Sequence, residues 1–232
     1  MNELVYYAAS IIAMLFVLIP HEFAHALIAY KNGDMTAKLQ GRLTLNPVKH
    51  LSPVGFILCV LTGFGWAKPV PINSANFRKY RTGLFTTAIA GVVTNYIIAF
   101  IVYPVSLLID KYLWTDGSSV FYLMEFFYLI FYLIFAYGLS IIVFNLLPFY
   151  PLDGFRVVES ITKKTNSLRR FLQKYGRYIL IFLILESYIC GLLMDYTDLP
   201  YVQYFDIFGY FRKFATNIIG WPIKALWNWI IL

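Results

Sequence analysis

The chain alternates long apolar segments with short polar ones. Each long apolar segment approaches or exceeds the roughly 20 residues that an α-helix needs to cross a bilayer. A tail from residue 207 to residue 232 is rich in aromatic residues and could also span the membrane or lie at its interface. The pattern predicts an all-α, multi-pass membrane protein with about five to six transmembrane helices. The four long apolar segments cover residues 4–30, 83–109, 120–148 and 178–194.

One polar segment, from Met35 to Asn46, has a different period. Ala37, Leu39 and Gly41 alternate with polar residues there, and the alternation continues to the end of the segment. A period of two is typical of a half-buried strand rather than of a helix. We therefore expect a small membrane-associated β-hairpin directly after the first span.

The composition supports a membrane protein. The 232 residues are 60% hydrophobic and only 13% charged, whereas a soluble domain is about 45–50% apolar and about 25% charged. These values exclude a soluble globular protein, a disordered chain and a coiled coil. The two cysteines, Cys59 and Cys190, lie far apart in apolar segments, so we expect neither a disulfide framework nor a cysteine zinc site.

The net charge of +7 is explained by membrane topology rather than by a nucleic-acid partner. Lysine and arginine concentrate in the segments 31–50, 66–81 and 155–177, whereas 110–119 and 195–206 are poor in them. The positive-inside rule places the three basic segments in the cytoplasm and the N-terminus outside. We expect the basic segments to meet lipid head groups.

The apolar segment 51–65 does not fit a simple crossing, because this orientation leaves both of its ends on the cytoplasmic side. Its 15 residues cannot cross the bilayer twice, since one crossing takes about 20. We expect the segment to be re-entrant or packed at the membrane edge, where other parts of the protein cover its backbone.

Two of the three histidines belong to the sequence HEFAH near the inner end of the first span. His21 and His25 are four residues apart, so they share a helix face and can bind one zinc ion, with Glu22 beside them as general base. A pair of structural histidines is disfavoured, because polar groups inside a membrane span are costly and usually functional.

A catalytic zinc site needs a third protein ligand and an open position for water. The candidates are His50 and the distant carboxylate of Asp153, which lies in NLLPFYPLDG, residues 145–154. Asp153 is the better choice, because the predicted topology brings it to the same side of the bilayer as His21 and His25.

HEFAH (21–25) together with NLLPFYPLDG (145–154) resembles the site-2 protease family of intramembrane zinc metalloproteases. That family pairs HExxH on one span with an NxxPxPxxDG-type motif on a later one. Three further stretches resemble its small prokaryotic members without PDZ or CBS domains, so the resemblance covers most of residues 8–160. The chain departs from the family at Val92, where proline is frequent, and at Ser52, where an acidic residue is usual. The three stretches are GRLTLNP (41–47), GWAKPVPIN (65–73) and AGVVTN (90–95).

The resemblance implies both a chemistry and the residues that carry it out. One catalytic Zn²⁺ would activate water, Glu22 would act as general base, and Asn145 would stabilise the oxyanion. Asn95 would contact the substrate. The three metal ligands implied by the family motifs are His21, His25 and Asp153.

The resemblance also implies the substrates and the location. Transmembrane proteins or peptides would be cut in or near their membrane segments, in regulated intramembrane proteolysis or in the clearance of signal peptides. A helical substrate must unwind first, and the predicted strand near residues 35–46 could accept it by edge pairing. We expect a prokaryotic cell membrane, with the active site toward the cytoplasm. Neither the oligomeric state nor the trigger follows from the sequence.

Three other functions compete with this interpretation. A zinc-binding membrane protein without protease activity, such as a transporter, would need further coordinating side chains along a pathway. A membrane di-iron enzyme would need many more than three histidines. Another kind of HExxH protease would use a glutamate as third ligand, but Glu159 lies outside the Pro-Leu-Asp-Gly turn that contains Asp153.

We expect a single domain in two parts, a catalytic core over residues 1–160 and further membrane segments over residues 161–232. Glu186 lies in the middle of the segment 178–194. Acidic residues inside a membrane are functional candidates by default, but the sequence offers no partner for this one. The role of His50, if it is not a ligand, is likewise open.

Overall fold

The computed structural model describes residues 3–55, 67–112, 119–196 and 201–232. Helices dominate these ranges, joined by 3-10 turns at Ser74–Asn76 and Val202–Tyr204 and by a π-helical turn at Ala215–Ile219. The helices are α1 (Glu3–Lys31), α2 (Thr36–Leu39), α3 (Pro47–His50), α4 (Tyr80–Tyr112), α5 (Ser119–Leu146), α6 (Asp153–Ile161), α7 (Ser167–Tyr196), α8 (Ile207–Phe214) and α9 (Trp221–Ile231).

Four of these helices are long and apolar enough to cross a membrane: α1, α4, α5 and α7. The predicted count of five to six spans is therefore too high for the described ranges. Neither helix of the tail is long enough by itself to make a fifth span, since α8 has 8 residues and α9 has 11. A crossing needs about 20 helical residues. Most of the predicted re-entrant segment, residues 56–66, lies outside the described ranges.

The prediction of a β-hairpin after the first span was wrong for the residues that the structure describes. Thr36–Leu39 form a helical turn, and the one β-type contact in the described ranges is an isolated antiparallel bridge between Leu51 and Ala67. The side chain of Asp34 accepts hydrogen bonds from the backbone N–H and the hydroxyl of Thr36. This local bonding competes with an extended backbone and favours the turn.

The core of the molecule is formed by α1, α4 and α5. Small residues of α1, including Ala9 and Ala13, pack against Leu133 and Ile134 of α5. Small residues let helices in a membrane approach closely and gain van der Waals contact. The arrangement fixes the position of α1, the helix that carries HEFAH.

A second cluster joins the broken tail to this core. Ile223 of α9 packs with Ala99 and Tyr103 of α4 and with Phe135 of α5. The indole of Trp227 donates a hydrogen bond to the backbone oxygen of Phe100, 3.0 Å away. Helix α9 of the tail therefore lies against α4.

The connection between α1 and α4 folds into a small polar unit that we call the cap, residues 32–55 and 67–79. Its centre is Asp34, which accepts hydrogen bonds from Thr36, from the Asn73 N–H (2.7 Å) and from the Asn76 amide (2.9 Å). Burial acts to raise the pKa of the Asp34 carboxyl, but the hydrogen bonds outweigh it and hold that pKa below its ordinary value. Asp34 therefore ties both halves of the cap together in its charged form.

Candidate metal centre

The two histidines of HEFAH lie on one face of α1, which is buried against the neighbouring helices. His21 and His25 are each 3% exposed, and their Nε2 atoms are 3.0 Å apart. The spacing of four residues predicts this shared face. The structure therefore places both imidazoles where one ion can contact them together.

Asp153 approaches the histidines from the opposite side, as the first residue of α6. Its Oδ2 lies 3.3 Å from Nε2 of His21 and 3.0 Å from Nε2 of His25. Gly154 makes this approach possible, because a Cβ there would lie 2.4 Å from the backbone oxygens of Leu146 and Leu147 at the end of α5. The glycine of the Pro-Leu-Asp-Gly turn is thus required by close packing.

The three donor atoms fit a tetrahedral zinc ion. They are separated from one another by 3.0 to 3.3 Å, slightly less than the roughly 3.3–3.6 Å between neighbouring ligands at tetrahedral zinc with bonds of about 2.0–2.2 Å. Among the described residues, His21, His25 and Asp153 form a group of metal-ligating side chains close enough to share one ion. Two nitrogens and one carboxylate oxygen are ligands that zinc accepts, and a catalytic site leaves the fourth position for water.

The charge of Asp153 suits this role. Burial acts to raise the pKa of its carboxyl, but the adjacent His25 and His21 outweigh burial and hold that pKa well below its ordinary range. Asp153 would bind a metal as the carboxylate.

Helix α4 orients both imidazoles from behind. Nδ1 of His25 donates a hydrogen bond to the backbone oxygen of Thr87 at 2.7 Å, which leaves the Nε2 lone pair for a metal. The side-chain amide nitrogen Nδ2 of Asn95 lies 3.1 Å from Nδ1 of His21. With Nε2 of His21 bound to a metal, Nδ1 would carry the proton, and the Asn95 amide would have to turn over so that its oxygen accepts that proton.

Asn95 makes a contact that the resemblance does not imply. It is 1% exposed and its side chain contacts His21, while its role in substrate binding stays a prediction. Gly91, one turn earlier on α4, is a residue that sequence reasoning did not single out. A Cβ at this position would lie 2.4 to 2.6 Å from three atoms of the His21 ring, so the imidazole takes the space that a side chain would fill.

Glu22 lies beside the metal ligands and faces the cap. It is half-buried, and its Oε2 accepts a hydrogen bond from the backbone N–H of Val70 at 2.9 Å. Sequence reasoning identified Glu22 but not Val70, because a backbone N–H leaves no signature in a motif.

The remaining candidates lie outside the ligand triangle. The amide of Asn145 donates to the backbone oxygen of Ile141 within α5, at 3.2 Å. His50 is buried in the cap, where its Nε2 donates to the backbone oxygen of Thr44 at 2.6 Å. Of the two predicted choices for the third ligand position, the structure brings Asp153 to the histidines and not His50.

Glu159, the alternative acidic ligand, has other partners. It forms an ion pair with Arg169 at the start of α7 and accepts a hydrogen bond from the hydroxyl of Tyr80 at 3.2 Å. It thus joins α6 to α7 and α4. An arrangement with a glutamate as third metal ligand has no support in these contacts.

Comparison with known proteins identifies the family of the chain. The sequence model of peptidase family M50 matches residues 9–186. The chain is 40% identical over 172 residues to "Putative zinc metalloprotease YwhC" of Bacillus subtilis, covering 69% of this chain and 74% of the relative. It is 26% identical over 171 residues to "Putative zinc metalloprotease Rip2" of Mycolicibacterium smegmatis, covering 71% and 62%. No solved structure matches the chain. The chain therefore belongs to peptidase family M50, the site-2 protease family.

Proposed function

We propose that this metalloprotease is a zinc endopeptidase that cuts membrane proteins in or near their transmembrane segments. The observation that carries the proposal is the buried triangle of His21, His25 and Asp153 with Glu22 alongside. Family membership supports the zinc chemistry. The position of the triangle among helices long enough to span a membrane supports substrates that are themselves embedded in it.

The residues divide the work of hydrolysis. When bound, zinc acts as a Lewis acid that polarises a carbonyl and makes water nucleophilic at neutral pH. Glu22 takes the proton that the attacking water releases and passes it to the departing amine. His21, His25 and Asp153 would hold the ion.

Asn145 is proposed as the residue that stabilises the oxyanion. It lies next to the end of α5, eight residues before the ligand Asp153. Its amide donates to the carbonyl of Ile141, and a rotation of the side chain would release that donor for a developing negative charge. Replacement by leucine removes the donor while keeping the volume, so it is expected to lower kcat more than it changes KM.

The depth of the site supports access from the cytoplasm. His21 lies ten residues before Lys31, the last residue of α1, which is about 15 Å along the helix axis. The basic residues of the cap and of 155–177 direct this end of the molecule to the cytoplasm under the positive-inside rule. Water reaches the site from that side of a prokaryotic cell membrane, while a membrane-embedded substrate enters from the lipid.

The decisive experiment compares the wild-type chain with Glu22→Gln. Membrane peptides that accumulate in cells carrying only the variant are identified by mass spectrometry and then offered to the purified proteins. We expect Glu22→Gln to keep its zinc and to lose cleavage, because the side chain keeps its shape but no longer accepts a proton. Equal cleavage by the two proteins would refute the proposed mechanism. A zinc-loaded wild-type chain that cuts none of these peptides would refute the function.

A further inference from the structure

The cap contains a buried cation without an acidic partner. Arg42 is 6% exposed, and within the ranges that the structure describes no carboxylate lies within 4.0 Å of its guanidinium. A buried charge is costly unless it is well paired. The positive charge of Arg42 is stabilised instead by hydrogen bonds to backbone carbonyls. These bonds identify the segment of the chain that Arg42 holds in place.

Arg42 holds the segment 67–73, which we call the strap. Its Nη2 donates to the backbone oxygens of Lys68, at 2.5 Å, and of Pro69, at 3.4 Å. Its Nε has no partner among the described residues. The guanidinium therefore holds the strap at Lys68 and at Pro69, the residue that begins its middle.

The ends of the strap are fixed independently of Arg42. At the first end, the N–H of Lys68 donates to the backbone oxygen of His50 at 2.7 Å. At the second end, the N–H of Asn73 donates to Asp34 at 2.7 Å. Loss of Arg42 is therefore expected to release the middle of the strap without detaching it from the cap.

The middle of the strap carries a single backbone donor. Pro69 and Pro71 have no N–H, so Val70 provides the one N–H in this triplet, and it donates to Oε2 of Glu22. The carbonyl of Pro69 and the N–H of Val70 belong to one planar peptide group and point in opposite directions. A guanidinium that attracts this carbonyl therefore directs the N–H toward Glu22.

We propose that Arg42 is a positioning residue for the general base and that it acts through the Pro69–Val70 peptide group. The contact with Val70 occupies one carboxylate oxygen of Glu22 and leaves the other for the attacking water. A general base that is held in one orientation before the substrate arrives loses less conformational entropy in reaching the transition state. This inference rests on the proposed function, in which Glu22 takes a proton.

A double-mutant cycle tests the inference, with Val70→Pro to remove the N–H and Arg42→Met to remove the guanidinium. Each single variant is expected to keep its zinc and its KM and to lose about tenfold to a hundredfold in kcat, as for loss of a hydrogen bond to a charged group. The double variant is expected to be no slower than the slower single variant, because both remove the same contact. Multiplied losses, an unchanged kcat in either single variant, or a change confined to KM would overturn the proposal.

Matched controls separate this effect from general damage. Val70→Ala keeps the N–H and removes only part of the side chain, so the loss in Val70→Pro beyond that in Val70→Ala measures the contribution of the N–H. Lys49→Met removes an exposed positive charge of the cap and is expected to have no effect. If Val70→Pro loses zinc or fails to fold, Arg42→Lys tests the proposal instead. This variant keeps the positive charge but lacks the planar guanidinium group. A lowered kcat with zinc and Tm unchanged supports the proposal, and a wild-type kcat overturns it.

The experiment also distinguishes failure of this inference from failure of the proposed function on which it rests. Failure of the wild-type chain to cleave, or cleavage by Glu22→Gln at the wild-type rate, would refute the function. When the wild-type chain cleaves and Glu22→Gln does not, wild-type rates in Arg42→Met and Val70→Pro refute only the positioning role.

Discussion

The metal ligands and the general base are held by different parts of the molecule. The imidazoles of His21 and His25 are fixed from behind by α4, and Asp153 is fixed by the tight junction between α5 and α6. Glu22 is bound instead by the strap, and the strap belongs to the polar cap. Zinc affinity should therefore depend on the helical core, and the rate of hydrolysis at full zinc occupancy on the cap.

The largest effect is expected from removing a ligand contributed by the core. Asp153→Ala takes away the carboxylate that lies within 3.3 Å of both imidazole Nε2 atoms. We expect zinc content near background and no detectable cleavage, measured by metal analysis and by the peptide assay. Glu22→Gln is the control, since it should lose cleavage alone. Full zinc content in Asp153→Ala would show that the third ligand lies elsewhere.

The next effect comes from crowding His21 without touching a ligand. Gly91→Ala places a Cβ 2.4 to 2.6 Å from three ring atoms of His21, closer than atoms can approach, so the imidazole must move. We expect a large loss of zinc and of cleavage in proportion. Gly138→Ala is the matched control, because its nearest neighbour would be 3.6 Å away. Equal zinc binding by both variants would contradict the proposed tight fit.

A smaller effect is expected from the residue that orients His21. Asn95→Leu removes the hydrogen-bonding group 3.1 Å from Nδ1 of His21, and loss of such support typically weakens metal binding by about tenfold to a hundredfold. Competition with a chelator measures the zinc affinity. Asn95→Asp keeps an oxygen acceptor and should restore most of that affinity. If Asn95 contacts substrate instead, zinc affinity will stay constant and KM will rise.

The smallest effect is expected at the centre of the cap. Asp34→Asn weakens the hydrogen bonds that Asp34 accepts from Thr36, Asn73 and Asn76, which should destabilise the cap by about 1–3 kcal/mol and leave zinc bound. Hydrogen exchange of the cap amides measures this stability. The exposed Asp110→Asn, at the far end of α4, is the control. Loss of zinc in Asp34→Asn would contradict the separation of cap from core.

Asp34 also makes the stability of the cap depend on pH, and the direction of this dependence follows from its lowered pKa. Although burial acts to raise it, hydrogen bonds hold the pKa of folded Asp34 below its ordinary value. The charged form therefore contributes stability at neutral pH, and this contribution is lost as the pH falls through the folded pKa. Asp34→Asn should reduce this acid sensitivity of the cap. An unchanged response to acid would assign it to another group.

The spans could be predicted closely, but their ends could not. The predicted segment 4–30 corresponds to Glu3–Lys31 in the structure, since hydropathy alone marks that helix. The segment 178–194 corresponds to Ser167–Tyr196, which begins eleven residues earlier. Hydropathy marks where a helix leaves the lipid. Helix α7 begins earlier, among basic residues, where the side chain of the N-terminal capping residue Asn166 accepts a hydrogen bond from the N–H of Arg169.

The segment from Met35 to Asn46 shows why alternation of polar and apolar residues led to a wrong prediction of strands. Alternation predicts a strand only where a neighbouring strand or sheet supplies hydrogen bonds. In the cap, Asp34 satisfies the backbone locally, and Gly41 has a φ of 64°, which turns the chain after one helical turn. Substrate pairing along 35–46 therefore loses its structural basis. The proposed division of the chain at residue 160 stays a prediction.

The sequence by itself determined the membrane setting and predicted the zinc ligands and the general base, because long apolar runs and the spacing of HEFAH depend only on side-chain identity and helical geometry. Tertiary structure alone decided that Asn95 and Thr87 contact the imidazoles, and that Arg42 and Glu22 contact the same peptide group. Those contacts join residues far apart in the chain, and three of the four use backbone atoms. A motif records side chains in order, whereas the active centre depends on which backbone groups the fold brings beside them.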